Sequence, residues 1–176
     1  MPAARRAGLE RRAEPEDGLT PELLATVTGA RRRALRDGDR QIDTAHLLHS
    51  LVEADPEAAA AFDGDHRLAR VLGYLVQRSI GYGLRWQRSV EDTGSALPVV
   101  RGASGNGADG WSPAAAAALA GAFERAARRG DRRARGLDLL AALTADPDSR
   151  AAEVLRRAGV DRAALAARIG EPSQQV

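Results

Sequence analysis

Two hydroxyl residues, each followed directly by proline, are the side chains that the sequence places best for chemistry. Thr20 precedes Pro21 and Ser112 precedes Pro113, and an apolar helical pattern follows each pair. Proline suits the first position of a helix, and a hydroxyl just before it caps the free backbone amides of the first turn. Because a helix N-terminus also favours an anion, each hydroxyl could hold an anionic group or could serve as a helix cap only.

The sequence offers few other groups for catalysis or metal binding. His46 and His49 lie three residues apart and could share a metal, but His66 is the only other histidine and no ligand motif surrounds them, so we expect no metal site. Cysteine and lysine are absent, and all 26 basic residues are arginine. This composition excludes thiolate chemistry, a lysine Schiff base and a GxxxxGK[ST] phosphate loop. We therefore expect a protein that is not an enzyme and needs no cofactor.

The two hydroxyls open two copies of one helical unit. LTPELLATVTGARRRALRDGDRQIDTAHLLHSL begins at Leu19, and WSPAAAAALAGAFERAARRGDRRARGLDLLAAL begins at Trp111. Without a gap, both copies place a hydroxyl residue, proline, Gly-Asp-Arg and a Leu-Leu-x-x-Leu run at matching positions. A unit that cannot bury its apolar stripe alone is commonly paired with a second copy. The duplication therefore predicts two pseudo-symmetric repeats.

Composition indicates an all-α fold. Hydrophobic residues make up 44% of the chain and aromatic residues 3%, so alanine, leucine and valine must form the core. We predict eight helices in two sets of four, with Leu35, Val76 and Phe123 among the apolar residues of their buried stripes. The predicted organisation is a disordered tail at 1–17, repeats at 18–88 and 111–170, a Gly/Ser-rich linker at 89–110 and a tail at 171–176.

The duplicated text resembles the Clp N-terminal repeat domain of the ATP-driven Clp unfoldases. The segments that carry the resemblance are LTPE and DGDRQIDTAHLLHSL in the first copy, WSPA and RGDRRARGLDLLAAL in the second, and the closing AAEVLRRAGVDRAALAARI. The resemblance covers about residues 19 to 170 and is clearer in the first copy. It implies a receptor module on which substrates, adaptors or modified peptides dock, and the ATPase engine itself is absent from this sequence.

The resemblance also implies site residues. In the family, hydroxyls at the positions of Thr20 and Ser112 help to hold an anionic group, and an aromatic residue near the position of Trp111 stacks on peptides. Trp111 could equally pack over the next helix. A glutamate that reads the guanidinium of phosphoarginine is replaced here by Ala45 and Leu137. We therefore expect phosphoarginine recognition to be lost and these two positions to offer an apolar surface.

The leading interpretation is a stand-alone, non-catalytic module that binds Clp substrates, adaptors or macrocyclic peptides, as an adaptor, a decoy or a sink. The alternative is a small basic helical protein that binds nucleic acid through the arginine clusters repeated in both copies. Solvated helix faces explain these clusters more simply, because acidic residues leave a net charge of only +2. No apolar run is long enough for a membrane span, so we expect a cytoplasmic protein.

Overall fold

The computed structural model describes residues 18–80, 91 and 110–170, and these residues form eight α-helices with no strand beyond two isolated bridges. The first repeat holds four helices: α1 (Pro21–Asp37), α2 (Thr44–Ala54), α3 (Pro56–Ala60) and α4 (Asp65–Ser79). The second holds α5 (Pro113–Arg129), α6 (Gly136–Ala145), α7 (Arg150–Arg157) and α8 (Arg162–Gly170). The all-α fold with two sets of four helices is confirmed. The predicted tails at 1–17 and 171–176 lie outside the described residues, as does the linker except for Glu91 and Gly110.

The ends of the long helices follow the sequence signals. Thr20 and Ser112 cap α1 and α5, and proline fills the first helical position of both. Gly38 and Gly130 end these helices in the left-handed conformation, with φ values of 68° and 80°. A left-handed residue is the usual helix stop, and glycine adopts it without a Cβ clash. Local chemistry therefore fixes the same helix length in both repeats.

The core forms between the repeats as well as within them. α1 packs on α2 and α5 packs on α6, as the duplication predicts. In addition, the second helix of each repeat packs against the third helix of the other, so that α2 contacts α7 and α6 contacts α3. Residues 44–52 of α2 are all buried. The two repeats therefore share one continuous apolar core.

For three residues, the prediction that they are buried in the core is wrong. The side chains of Leu35, Val76 and Phe123 are exposed by 82%, 47% and 40%. The sequence spacing assigned them to the edges of the apolar stripes, but the core of each repeat is narrow because alanines such as Ala30 and Ala122 let the helices approach closely. A narrow contact leaves the edge of each stripe in solvent.

Candidate functional site

The predicted cap hydroxyls both bond to their own helices. The Thr20 hydroxyl accepts a hydrogen bond from the Leu23 amide at 3.3 Å, and the Ser112 hydroxyl accepts one from the Ala115 amide at 3.0 Å. Thr20 is half-buried, whereas Ser112 is fully buried. The two equivalent caps thus lie in different environments, and only Ser112 must satisfy its remaining hydrogen-bonding capacity inside the protein.

Reciprocal backbone bridges place each cap beside the other repeat. Leu19 pairs with Ala134, and Ile42 pairs with Trp111, both in parallel. The Thr20 amide donates to the Ala134 carbonyl at 3.0 Å, and the Ser112 amide donates to the Ile42 carbonyl at 2.9 Å. Because Ala134 and Ile42 lie two residues before α6 and α2, each hydroxyl stands next to the N-terminus of the partner repeat's second helix. The candidate site is therefore composite.

A buried carboxylate lies beside Ser112, at one of these two composite places. Glu91 is 4% exposed, and its Oε1 accepts hydrogen bonds from the Ser112 hydroxyl at 2.8 Å and the Thr44 amide at 2.9 Å. Its Oε2 accepts from the Arg150 amide at 2.6 Å and from the Thr44 hydroxyl. Thr44 and Arg150 are the first residues of α2 and α7. We call these four donors, from Thr44, Ser112 and Arg150, the oxyanion cradle.

The equivalent place beside Thr20 has different chemical groups. Gly136 stands where the first repeat has Thr44, so no side-chain hydroxyl projects from the start of α6. A Cβ placed on Gly136 would lie 1.9 Å from Oδ2 of Asp55, the residue that caps α3 through the amides of Glu57 and Ala58. Asp55 therefore fills the space above the N-terminus of α6. The two repeats therefore have equivalent helices, but the functional groups at their two sites differ.

The other predicted site residues lie near these two places without forming one pocket. Ala45 is fully buried, and Leu137 is half-buried and packs against the core. Trp111 is half-buried, packs on the same core, and has the Arg31 guanidinium 5.6 Å from its ring centroid. These contacts give Trp111 a packing role. The ligand-binding role of all five predicted residues stays a prediction.

A second charged centre lies beside the cradle. Asp43 is fully buried, and its Oδ2 pairs with the guanidinium groups of Arg78 and Arg150, the latter at 2.7 Å. Burial by itself would raise the pKa of Asp43, but hydrogen bonding with His46, whose amide donates to the carboxylate, and the charge of Arg78 hold that pKa well below its usual value. Asp43 therefore stays ionised and joins α2 to α4 and α7.

The two histidines contact different protein groups, His46 with Asp39 and Asp43 and His49 with Arg33 and Glu53. His46 Nδ1 accepts from the Asp43 amide at 3.0 Å, and Nε2 lies 2.7 Å from Asp39 Oδ2, which identifies a neutral ring that donates through Nε2. Donor atoms of Asp37, Asp39 and His46 lie within 4.8 Å of one another. Ser79 donates to Asp37 at 2.9 Å and His46 donates to Asp39, so hydrogen bonding already explains this group.

Much of the repeated arginine charge is neutralised by nearby carboxylates. Arg129 binds Asp138 through both terminal nitrogens and also contacts Asp131. Burial raises the pKa of Asp138, but the hydrogen bonds from Arg129 and from the Arg135 amide outweigh it and lower that pKa. Further ion pairs hold Arg33, Arg125, Arg128 and Arg135. Solvated, paired helix faces therefore account for these clusters.

A small cavity adjoins the cradle. It has a volume of about 200 Å³ and lies where α5, α6 and α7 meet the start of α2. Alanine side chains form most of its wall, while Thr44, Asp146 and Ser149 supply polar groups. No helix among residues 18–80 and 110–170 has the length and apolar character needed to cross a membrane.

Thr44, Glu91 and Arg150 were missed as site residues in the sequence. Glu91 is an acid within the Gly/Ser-rich stretch, and its partners lie 21 to 59 positions away along the chain. Arg150 acts through its backbone amide and Thr44 through its amide and its hydroxyl, and any residue at a helix start possesses such an amide. The sequence predicted the helix N-termini of each repeat, but it did not show that those of α2, α5 and α7 converge.

Part of the chain matches a family of known proteins. Residues 111–176 match the Clp repeat (R) N-terminal domain. The chaperone protein ClpB of Rhodopseudomonas palustris is 30% identical over 141 residues, which cover 80% of this chain and 14% of the relative. The chain thus spans about one seventh of that chaperone's length. The family match falls in the second repeat, although the sequence motifs placed the clearer resemblance in the first.

Solved structures show the same fold. The N-terminal domain of the chaperone ClpD from Arabidopsis thaliana matches with a TM-score of 0.60 at 15% identity, covering 90% of this chain and 96% of that domain. The Hsp104 N-terminal domain from Candida albicans matches with a TM-score of 0.63 at 14% identity, covering 87% and 89%. Together with the family match at residues 111–176, these likenesses confirm the resemblance predicted from the sequence: the chain has the fold of the Clp N-terminal domains.

Proposed function

We propose that this protein is a non-catalytic module that binds proteins or peptides and works with a Clp-type unfoldase. The support is its Clp N-domain fold together with its similarity to a chaperone that is named ClpB. Because the chain covers only 14% of that relative, the ATP-driven activity of a whole unfoldase does not transfer with the domain. The proposed role is therefore recognition.

The observation that carries this proposal is the alanine-lined cavity beside the oxyanion cradle. Ligand pockets are mostly apolar, with a few polar groups that fix orientation. A cavity of about 200 Å³ is smaller than the pockets of drug-sized ligands, but it can take one small apolar side chain. It therefore suits a short apolar contact within an extended peptide better than a free metabolite.

The identity of the bound molecule decides whether the protein acts as an adaptor, a decoy or a sink. Binding of unfolded substrates would make the protein an adaptor, binding of a native adaptor would make it a decoy, and binding of macrocyclic peptides would make it a sink. A pull-down from the native cytoplasm with mass spectrometry distinguishes these three outcomes by the identity of the retained molecule. We expect a Clp unfoldase, its adaptor or a peptide among the retained molecules.

The cavity itself is tested with Ala117→Trp, because Ala117 lines the cavity but its side chain is exposed. The probe is reduced, carboxymethylated lactalbumin, a permanently unfolded protein, and the readout is fluorescence anisotropy. We expect wild-type binding and at least about tenfold weaker binding by the variant, since filling the cavity removes the apolar contact. Ala120→Trp is the matched control, because Ala120 is exposed on the same helix away from the cavity. Equal binding by all three proteins would contradict the proposed site.

A further inference from the structure

The oxyanion cradle is organised by the helices and not by the carboxylate that fills it. The Thr44 hydroxyl accepts a hydrogen bond from the Ala151 amide at 3.0 Å, and the Ser112 hydroxyl accepts one from the Ala115 amide at 3.0 Å. A hydroxyl that accepts from an amide keeps its single hydrogen for another acceptor. Both hydrogens therefore point to the same place, which the first amides of α2 and α7 also face.

The cradle selects for an oxyanion. All four donors converge on the two oxygens of Glu91, and the amides are those of helix N-termini, where the helix dipole favours negative charge. The adjacent cations are already engaged, since Arg78 and Arg150 pair with Asp43. Recognition at this place therefore depends on hydrogen-bond donors, which suit a carboxylate or a phosphoryl group equally.

The cradle is specific to one half of the pseudo-symmetric domain. In the described part of the other half, Gly136 provides no hydroxyl and Asp55 is held by the N-terminus of its own helix. The four bonds of Glu91, in contrast, all reach residues at least 21 positions away along the chain. The cavity with Thr44, Ala114 and Ser149 in its wall adjoins this half.

We propose that Glu91 is an intramolecular pseudo-ligand of the oxyanion cradle, and that an oxyanion carried by a bound peptide takes its place. For its biological meaning this inference rests on the proposed peptide-binding function. A peptide's small apolar side chain would enter the alanine-lined cavity, while its carboxylate or phosphoryl group replaces the Glu91 carboxylate. Glu91 thereby competes with ligand and lowers the apparent affinity of the cradle for any external oxyanion.

The test removes the competitor and supplies the anion. Inorganic phosphate is titrated into wild type and into Glu91→Ala at constant ionic strength, with chloride as the balancing anion. Binding is followed by the thermal midpoint and by the amide resonances of Thr44 and Arg150. If Glu91 fills the cradle at least nine-tenths of the time, its removal should strengthen phosphate binding by about tenfold or more. Acetate in place of phosphate reports whether a carboxylate serves as well.

The matched control is Glu153→Ala, which removes a carboxylate that pairs with Arg156 and Arg157 on the surface of α7. It should show no phosphate effect. If Glu91→Ala fails to fold in chloride, folding restored by phosphate or acetate supports the proposal, and failure with both anions overturns it. No gain in phosphate binding by a folded Glu91→Ala, or an equal gain in Glu153→Ala, also overturns it. Lactalbumin binding by the wild type is independent of these results, so the two proposals can fail separately.

Discussion

At the scale of single residues, three buried carboxylates are each held by groups from other helices. Glu91 is held by three helix starts, Asp43 by two arginines and Asp138 by Arg129. An ion without such partners would be costly to bury, so each partner set explains why the charge is tolerated. The same rule makes these residues the most informative ones to change.

Phosphoarginine should not bind to this protein as it does to the Clp relatives that read it. The glutamate that would pair with the guanidinium is replaced by Ala45 and Leu137, and a charge-assisted hydrogen bond contributes about 1.5 to 3 kcal/mol. Its loss lowers affinity by at least about tenfold. Isothermal titration with free phosphoarginine checks this, and tight binding by the wild type would contradict it.

Leu137→Glu is the variant best suited to recover that binding. Leu137 is half-buried, so a glutamate there can reach solvent or ligand, whereas a glutamate at the fully buried Ala45 would be forced into the core. We expect Leu137→Glu to bind phosphoarginine more tightly than wild type. Leu119→Glu, at a half-buried position on α5, serves as the control and should gain nothing.

The stability of the protein should fall between pH 6.5 and about 4 because of His49. Burial lowers the pKa of His49 to about 4, and the charge of Arg33 adds to that effect against the opposing influence of Glu53. A folded-state pKa below the ordinary 6.5 means that the neutral ring stabilises the fold above pH 6.5, and that this contribution is lost as the pH falls towards 4. The loss by pH 4 should be about 3 kcal/mol, since one pKa unit corresponds to about 1.4 kcal/mol. Urea unfolding at several pH values measures it.

Two variants separate this titration from others. His49→Gln should flatten the dependence of unfolding free energy on pH in this window, because the titrating ring is gone. His66→Gln should leave it unchanged, since His66 is exposed. A His49→Gln profile parallel to that of the wild type would show that another group is responsible.

At the scale of elements, the residues at the helix N-termini determine how the helices meet more than the residues of the helix interiors do. Asp43, Asp55, Ser112 and Ser149 are buried side chains that cap α2, α3, α5 and α7. Each cap satisfies amides that the helix itself leaves free. Because these starts face the other repeat and not solvent, the caps also fix how the helices meet.

Gly136→Ala tests the closest of these contacts. The added methyl would lie 1.9 Å from Asp55 Oδ2 and 3.0 Å from Leu51 Cδ1, so Asp55 must leave its position as the cap of α3. We expect a loss of about 2 to 3 kcal/mol in unfolding free energy, from crowding together with the lost cap. Thermal and urea unfolding measure it.

Gly73→Ala is the matched control on α4. Gly73 is exposed, and a Cβ there would meet no atom within 4 Å. Alanine is the better helix former, so this variant should gain about 0.5 to 1 kcal/mol. Similar effects of the two substitutions would show that Asp55 moves aside without cost.

At the scale of the whole molecule, the two repeats are interlocked and not merely adjacent. Two backbone bridges, the Asp43–Arg150 pair and the Glu91 carboxylate all connect residues of one repeat with the other or with the stretch between them. The second helix of each repeat is enclosed by helices of both. We therefore expect the domain to unfold as one cooperative unit.

Asp43→Asn should destabilise that unit strongly. The substitution keeps the shape of the side chain but leaves Arg78 and Arg150, with side chains 10% and 11% exposed, without the charge they share. Breaking a buried ion pair in this way costs about 3 to 5 kcal/mol. Urea unfolding followed by circular dichroism at pH 7 measures the change.

Glu153→Gln provides the comparison for an exposed ion pair. Glu153 pairs with Arg156 and Arg157, whose side chains are largely open to solvent, so its loss should cost less than about 1 kcal/mol. If Asp43→Asn also cost less than that, the network would not hold the repeats together.

The sequence by itself determined the helices, the duplication and the resemblance to the Clp repeat domain. Caps such as Thr20 and Ser112, the left-handed stops Gly38 and Gly130, and the leucine runs are local signals, because a helix end depends on residues within one turn of it. The tertiary structure decided the site. The starts of α2, α5 and α7 converge, and the Glu91 carboxylate lies between them. Asp55 fills the corresponding space at the start of α6. Both arrangements depend on contacts between distant segments. Such contacts leave no periodic signal in the sequence, because any residue at a helix start offers the same backbone amide and any carboxylate could accept it.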